Sequence, residues 1–321
     1  MRWGIVGTGL HAEQRVVPAL AKTKAERLHG VVGSSEAAAA AFAQRVGSPR
    51  VYASTEALVA DPAIDAVFIT TPNDHHCRQT EIAATAGKHV LVEKPMALTE
   101  ADCRTMIEVA RKAGVRLGVG FQARHHPVHR AIRGLVAAGE LGDVVLVRGE
   151  WHSSYGPWKN WRADPKRAGS DVLAAIGVHV LDLMGWLTGA EVRDVSALVD
   201  RSPETGQDQT VACTLAFSNG TIGTATFTRR SMWPLNSINV WGTKGTASGV
   251  GTLGMSPSGL FRRTTGPNVE DVTLPVPDLY AAQFEAFAEA VARGEEPNAS
   301  GSDGLRSVQV TSRILASCGP Q

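Results

Sequence analysis

The chain has 321 residues, 43% of them hydrophobic, enough to bury a sizeable core and too many for one small domain. Lys and Arg number 32 against 31 Asp and Glu, a net charge of +1, which gives no electrostatic reason to expect nucleic acid or an anionic membrane as partner. The four cysteines, Cys77, Cys103, Cys213 and Cys318, lie far apart without metal or disulfide spacing, and no apolar run suggests a membrane span.

Arg2 to Val6 reads as a short apolar strand that runs into Gly7-Thr8-Gly9-Leu10-His11-Ala12, the G-x-G-x-x-A form of a dinucleotide-binding turn. Gly7 allows the tight turn, Gly9 lets the backbone approach a pyrophosphate, and Ala12 permits close packing of helix on strand. The amides that open the helix at Leu10 then face the phosphates. A strand and turn this early leave no room for a secretion signal, so the expectation is a cytoplasmic protein. A second strand, Leu28 to Gly33, ends in Ser34-Ser35. An NAD site would carry an acid here for the ribose 2′-hydroxyl. Glu26 sits at the wrong end of the strand, and Glu36 falls in the first turn of the next helix. The two hydroxyls leave room for a 2′-phosphate, though no arginine adjoins them. Both NAD and NADP stay open, with a lean to NADP.

Ala66 to Thr70 is a strand that ends in Thr71-Pro72-Asn73, with a helix from about Asp74 to Ala86 after it. Val90-Leu91-Val92 then stops on Glu93-Lys94-Pro95. Strand packing has no use for an acid and a base there. In an open α/β sheet, however, the carboxyl ends of strands face the ligand crevice. A lysine delivered to that place can donate a proton to a reacting carbonyl or hold a hydroxyl. The commoner fate of such a dipeptide is a surface ion pair. Thr99 to Asp102 opens another helix in N-cap style, and Val115 to Gly120 is the last strand of the series. The alternation predicts a doubly wound parallel sheet, a Rossmann domain over residues 1–121.

After Phe121 the texture changes. Helix-like stretches at about His129 to Ala138 and Val172 to Leu187 flank a strand at Asp143 to Glu150 and an aromatic loop. Period-2 strands follow at Val192 to Val199, Thr210 to Phe217, Thr221 to Thr228 and Ser237 to Trp241, then helices at Leu279 to Ala292 and Asp303 to Ala316. The pattern predicts an α+β domain over residues 122–321 with a large open, mainly antiparallel sheet. One face lies under helices, and the other pairs with a partner subunit in a homodimer or homotetramer, because a half-covered sheet is costly to expose. The loop residues Trp151, His152, Tyr155, Trp158 and Trp161 suit stacking on a sugar as well as they suit a core. His75, His76 and Cys77 resemble a metal cluster on paper, but neighbours on a helix point apart, so no metal is expected. His125, His126 and His129 read as substrate contacts or surface residues. Asp208 and Arg229-Arg230 read as solvent or subunit contacts.

Five stretches in order resemble the Gfo/Idh/MocA oxidoreductases: Gly7 to Ala12, Thr71-Pro72-Asn73 with His76, Glu93-Lys94-Pro95, Gly120-Phe121 with Arg124 and Pro127, and Gly177-Val178-His179 with Asp182. The resemblance spans essentially the whole chain, including Gly242-Thr243-Lys244-Gly245. From Trp161-Arg162 to Ala168-Gly169 it is nearest to members that reduce sugar carbonyls with NADPH. It implies a hydride passing between nicotinamide and a sugar, polyol or related cyclic hydroxy or keto compound. It implies Lys94 as proton donor or hydroxyl anchor, Glu93 orienting it, and His179 meeting the substrate or shuttling a proton. Thr71, Pro72, Asn73 and His76 belong to the cofactor side, Trp161 and Arg162 to the nicotinamide end, and Arg124 to the substrate side. The Lys94–Pro95 bond is cis in many members. One departure stands out: the family usually carries an aspartate four residues before the histidine, and here that position is Ala175. Asp171, a turn earlier, is the candidate substitute. The gap keeps two further readings open: a redox-neutral enzyme that eliminates or epimerises through a transient ketone, and a nicotinamide-binding regulator that has lost turnover.

Overall fold

The computed structural model describes residues 1–317 except 255, 256 and 258; Cys318 lies outside the described residues. The chain divides into two compact units, one of residues Met1–Gln122 with Pro277–Leu305, the other of Ala123–Val276 with the chain from Arg306 onward.

The first unit begins with β1 (Arg2–Val6), a π-helical stretch at Ala12–Val16, α1 (Val17–Lys22), β2 (Arg27–Val32), α2 (Glu36–Arg45), β3 (Arg50–Val51) and α3 (Thr55–Val59). It continues with β4 (Ala66–Ile69), α4 (His76–Thr85), β5 (His89–Val92), α5 (Glu100–Ala113) and β6 (Leu117–Val119). All pairings in this sheet are parallel, in the order β3-β2-β1-β4-β5-β6. That is the doubly wound order, with its switch point beside β1. β4 is buried at all four residues and β5 at its last three, which is why both read as unbroken apolar runs.

The second unit contains α6 (Pro127–Ala137), β7 (Val144–Ser154), α7 (Pro165–Ala168), a π-helical stretch at Leu173–Gly177 and α8 (Val178–Thr188). β8 (Val192–Arg201), β9 (Asp208–Phe217), β10 (Ile222–Thr228), β11 (Arg230–Gly242), β12 (Gly245–Val250), β13 (Leu260–Thr265) and β14 (Asn268–Thr273) complete an eight-stranded sheet. Its order is β14-β13-β12-β11-β7-β10-β9-β8, antiparallel except where β10 meets β7. One face is core, carrying Val147, Val211, Leu215, Phe227, Ile238 and Val240 with α8 residues Val180 and Met184. Leu198, Ile222 and Val269 are well exposed. β12 to β14 carry too little period-2 patterning to be read in advance. The helical stretch Pro165–Thr188 has the mean hydropathy of a membrane span, which corrects the expectation that no run comes near one; 83% of its most apolar window is buried within the fold.

The last two helices are α9 (Leu279–Arg293) and α10 (Gly301–Ser317). Chain order alone assigns α9 to the second domain, and the structure differs. Phe284 and Phe287 project from one face of α9 onto Trp3, with ring centroids 4.9 and 5.5 Å apart, and Phe284 also meets Phe68 at 5.2 Å. Those aromatics pack on one face of the parallel sheet, so the chain returns to the first unit to finish its core.

Candidate active site

In the first unit, the carboxyl ends of β1, β4, β5 and β6 lie side by side. Their hydrogen bonds continue past the strands: Thr70 N–H donates to Val6 O at 2.9 Å, Glu93 N–H to Ile69 O at 2.9 Å, and Gly120 N–H to Val92 O at 2.8 Å. Gly7 turns the chain at φ +109° and donates to Val32 O at 2.9 Å. A Cβ there would stand 2.8 Å from the carbonyl of Thr70, so only glycine fits. A Cβ at Gly9 would meet nothing within 4 Å, and Leu10 is 71% exposed. The turn thus leaves open space above the amides that start the helix, while Ala12 is fully buried beneath it. This is the cradle a pyrophosphate needs, and the residues fit a dinucleotide. Thr8 packs its hydroxyl toward Gly33. Ser34 and Ser35 are exposed at the end of β2, and Ser35 Oγ caps α2 by accepting from Ala38 N–H at 3.2 Å. Glu26, at the far end, is buried and accepts from Trp3 Nε1 at 2.5 Å.

Glu93-Lys94-Pro95 leaves β5 at this rim, and the Lys94–Pro95 bond is cis. Lys94 is half-buried and Glu93 is 8% exposed. Glu93 Oε2 accepts the Lys94 N–H at 3.1 Å, and Oε1 meets His11 Nε2 at 3.0 Å. The His11 ring, expected on the cofactor side, is thereby turned to Glu93 and to Tyr280, whose centroid lies 5.4 Å away. His76 is fully buried with both nitrogens at backbone carbonyls, Nδ1 to Pro95 at 3.0 Å and Nε2 to Thr71 at 3.1 Å. Burial pushes its pKa down against those two carbonyls. Its imidazole pins the Thr71-Pro72-Asn73 loop to the lysine loop. Thr71 donates to Gln79 Oε1 at 2.6 Å, and Asn73 is buried at the head of the helix. Tyr280 escapes a reading of the sequence because nothing local ties it to a turn 269 residues earlier; only the amphipathic pattern of α9 hints that its neighbours pack on a core.

The second unit holds the other expected residues. His179 opens α8, is 4% exposed, and faces Trp151 with centroids 5.8 Å apart. The π-helical stretch before it contains Ala175, whose N–H bonds to Asp171 O at 2.9 Å. Such bulges are frequent at functional sites. Asp171 is engaged at both oxygens. Its Oδ1 accepts from Tyr155 OH at 3.2 Å and Trp158 Nε1 at 2.8 Å, and its Oδ2 meets Arg229 Nε at 2.7 Å. A carboxylate so engaged is poorly placed to replace the missing aspartate at position 175, contrary to expectation. Tyr155 and Trp158, expected as stacking surfaces, spend their polar atoms on it. Burial together with the Asp171 charge pushes the Tyr155 pKa up.

Asp208 and Arg229 are not solvent residues. Asp208 is fully buried, and its two oxygens accept from the N–H groups of Asp171 and Leu173, each at 2.7 Å. Burial holds its pKa up at about 6 against those two donors. Arg230 alone of this set is exposed, paired with Asp200 at 2.8 Å. Arg124, expected at the substrate, is 3% exposed and forks onto Asp182 through Nε at 2.8 Å and Nη2 at 2.5 Å. Its guanidinium also lies over Trp186. The histidines expected as substrate contacts or surface residues are buried as well. His129 bridges Ala123 O at 2.7 Å and Thr252 Oγ1 at 2.8 Å, His126 Nδ1 accepts from Val128 N–H, and burial pushes His125 and His126 down to about 4 and His129 to about 3. Trp161 and Arg162 are half-buried, with the guanidinium 4.4 Å from the Trp161 ring centre and 5.2 Å from that of Trp158.

A parallel sheet in doubly wound order, a glycine turn open above its amides and a lysine at the end of β5, two strands along the same sheet edge, define an NAD(P)-binding oxidoreductase. Residues 1–121 match the oxidoreductase family model with NAD-binding Rossmann fold, and residues 129–248 match the GFO/IDH/MocA C-terminal domain; the chain belongs to this family. It is 31% identical to 1,5-anhydro-D-fructose reductase of Ensifer adhaerens over 96% of its own length and 93% of the relative's. It is also 31% identical to D-xylose 1-dehydrogenase (NADP(+)) 2 of Haloferax volcanii, over 92% of this chain and 91% of that one. Among solved structures it is similar to the aldose-aldose oxidoreductase from Caulobacter crescentus complexed with glycerol, with a TM-score of 0.91, 28% identity and coverage of 99% and 97%.

Proposed function

We propose that this protein transfers a hydride between a nicotinamide cofactor and a hydroxyl or carbonyl carbon of a sugar, polyol or related cyclic compound. The observation that carries the reading is Lys94, half-buried at the rim of the glycine turn, with its backbone held by Glu93. Full-length similarity to two sugar oxidoreductases supports the substrate class. Gly7, Gly9 and the amides from Leu10 onward would hold the pyrophosphate. Bound nicotinamide supplies the hydride chemistry. Lys94 does the rest at this rim, giving a proton to the carbonyl oxygen in reduction and anchoring the hydroxyl in oxidation. Contact with the substrate or proton shuttling by a second group falls to His179, which acts from the head of α8.

The lean is to NADP, because β2 ends in the exposed Ser34 and Ser35, and the carboxylate after them, Glu36, is the first residue of α2, where an acid is favoured anyway. We also place the enzyme in the cytoplasm as a homo-oligomer, its sheet face with Leu198, Ile222 and Val269 covered by a second copy. NADPH and NADH are titrated by tryptophan fluorescence, and a panel of aldoses and keto sugars is assayed by the absorbance of reduced nicotinamide. Saturable binding and net oxidation of NADPH with at least one sugar are expected. Failure to bind either cofactor sinks the reading. The Caulobacter protein named for two aldoses motivates a second arm. Pairs of sugars without added cofactor, analysed by product, test for redox-neutral turnover.

A further inference from the structure

The dinucleotide turn requires Gly7, Gly9 and Ala12; nothing in that requirement calls for histidine at position 11. Yet the His11 ring reaches a carboxylate 82 residues away in sequence, Nε2 to Glu93 Oε1 at 3.0 Å. A carboxylate only accepts, so the ring donates from Nε2. The other Glu93 oxygen receives the Lys94 N–H at 3.1 Å. Behind the carboxylate stands Gly120, where a Cβ would lie 3.3 Å from all three of its atoms. In front, the His11 ring is wedged edge-on by Tyr280, at 64° between planes. Tyr280 is itself anchored: Asp278 Oδ1 accepts from Tyr280 N–H and Ala281 N–H at 3.1 Å each, and Asp278 Oδ2 accepts from Lys22 Nζ at 2.8 Å. A continuous chain of contacts therefore runs from the end of α1 through the start of α9 to the lysine loop.

We infer that His11 is a positioning residue for Lys94: wedged by Tyr280, it clamps Glu93 in the rotamer that holds the Lys94 backbone at the rim. The inference rests on Lys94 being the proton donor proposed above. A donor displaced by an ångström loses much of its rate while cofactor binding at the glycine turn is unaffected. His11 thus belongs to the turnover step and contributes little to dinucleotide affinity.

The test compares His11→Ala, His11→Gln and Lys94→Ala in the full-length protein, with NADPH affinity from tryptophan fluorescence and kcat on the fastest sugar of the panel. His11→Ala is expected to lose about tenfold in kcat, the worth of one well-made hydrogen bond. Its NADPH Kd should stay within about twofold, the split expected of an effect confined to turnover. His11→Gln, whose amide keeps a donor, should regain most of the rate. Should His11→Ala fail to fold, His11→Phe keeps the ring against Tyr280, removes the donor and is judged by the same loss of kcat. Unchanged kcat in the alanine variant, glutamine falling as far as alanine, or a weakened Kd at normal kcat would each overturn the inference. Lys94→Ala separates the two ideas. Normal turnover in that variant defeats the reading of the lysine itself, whereas a dead Lys94→Ala beside a normal His11→Ala defeats only the role of His11.

Discussion

Two carboxylates with every oxygen engaged anchor the two halves of this molecule, and they do opposite work. Glu93 stands at the end of β5 with the half-buried Lys94 next to it, and its partners are a backbone amide and a histidine from the cofactor turn. Asp171 stands at the head of the helical stretch leading to His179, enclosed by Tyr155, Trp158 and Arg229. Next to it, fully buried Asp208 accepts from the amides of Asp171 and Leu173. The first carboxylate holds the loop of a half-buried lysine at the end of β5; the second is sealed and holds a helix start. Saturation by donors alone therefore does not mark a working acid. The exposure of the group it supports decides.

The largest effect that bears on this contrast is expected at Lys94. Lys94→Ala should fold, bind NADPH and lose turnover by about 10²-fold or more, the scale of a general acid. Lys94→Arg should fare little better, since guanidinium stays protonated and presents a different shape. Steady-state kinetics alongside fluorescence titration measures both. Near-normal turnover in Lys94→Ala would put Glu93 in the same sealed, structural class as Asp171.

Next in size is Asp208. Asp208→Ala leaves two buried N–H groups without acceptors and should cost about 3 kcal/mol of stability by chemical denaturation. Its titration has a definite sign. Burial raises the folded-state pKa to about 6, above the ordinary aspartate value of about 3.9. The folded protein then binds the extra proton more tightly, so this group's contribution is fully present below the lower value and is lost as pH rises through about 6. The difference in stability between wild type and Asp208→Asn should therefore shrink from about pH 4 to about pH 7. A difference that is flat or that grows would mean that the two amide donors overcome burial and keep Asp208 ionised throughout.

The same contrast explains what was legible in the sequence. The parallel sheet, the glycine turn and Glu93-Lys94-Pro95 are contiguous signals, each carried by a short run at a strand end, and they survive reading one stretch at a time. The second unit is built by pairs far apart in sequence: Asp171 with Arg229, Asp208 with Leu173, Arg124 with Asp182, His129 with Thr252. Each partner looks like an ordinary polar residue until the fold encloses it, which is why Asp208 and Arg229 read as solvent or subunit contacts and the histidines as substrate contacts or surface residues; Arg124 is placed at the substrate by the family resemblance alone. Tyr280 and α9 escape for a related reason. An amphipathic helix declares that it has a buried face, but it does not declare which sheet covers that face.

The smallest expected effect is at Tyr155, where the boundary between sealed cluster and working loop is drawn. Tyr155→Phe removes one hydrogen bond, the longest of those on Asp171 at 3.2 Å, while Trp158 and Arg229 keep that carboxylate satisfied. The loss in stability should be about 1 kcal/mol or less. The phenyl ring keeps its stacking against Trp158, whose centroid lies 5.0 Å away, so loop shape should hold. If Tyr155 belongs to the sealed cluster, KM for the sugar should stay within about twofold of wild type, because a group that never meets substrate changes neither ground-state nor transition-state binding. If the hydroxyl instead leaves Asp171 to bind a sugar oxygen, KM should rise about tenfold at unchanged thermal stability. That second outcome would break the contrast at its edge: the loop would then exchange a structural hydrogen bond for a substrate one on each turnover, and Asp171 would be an anchor released in the course of the reaction.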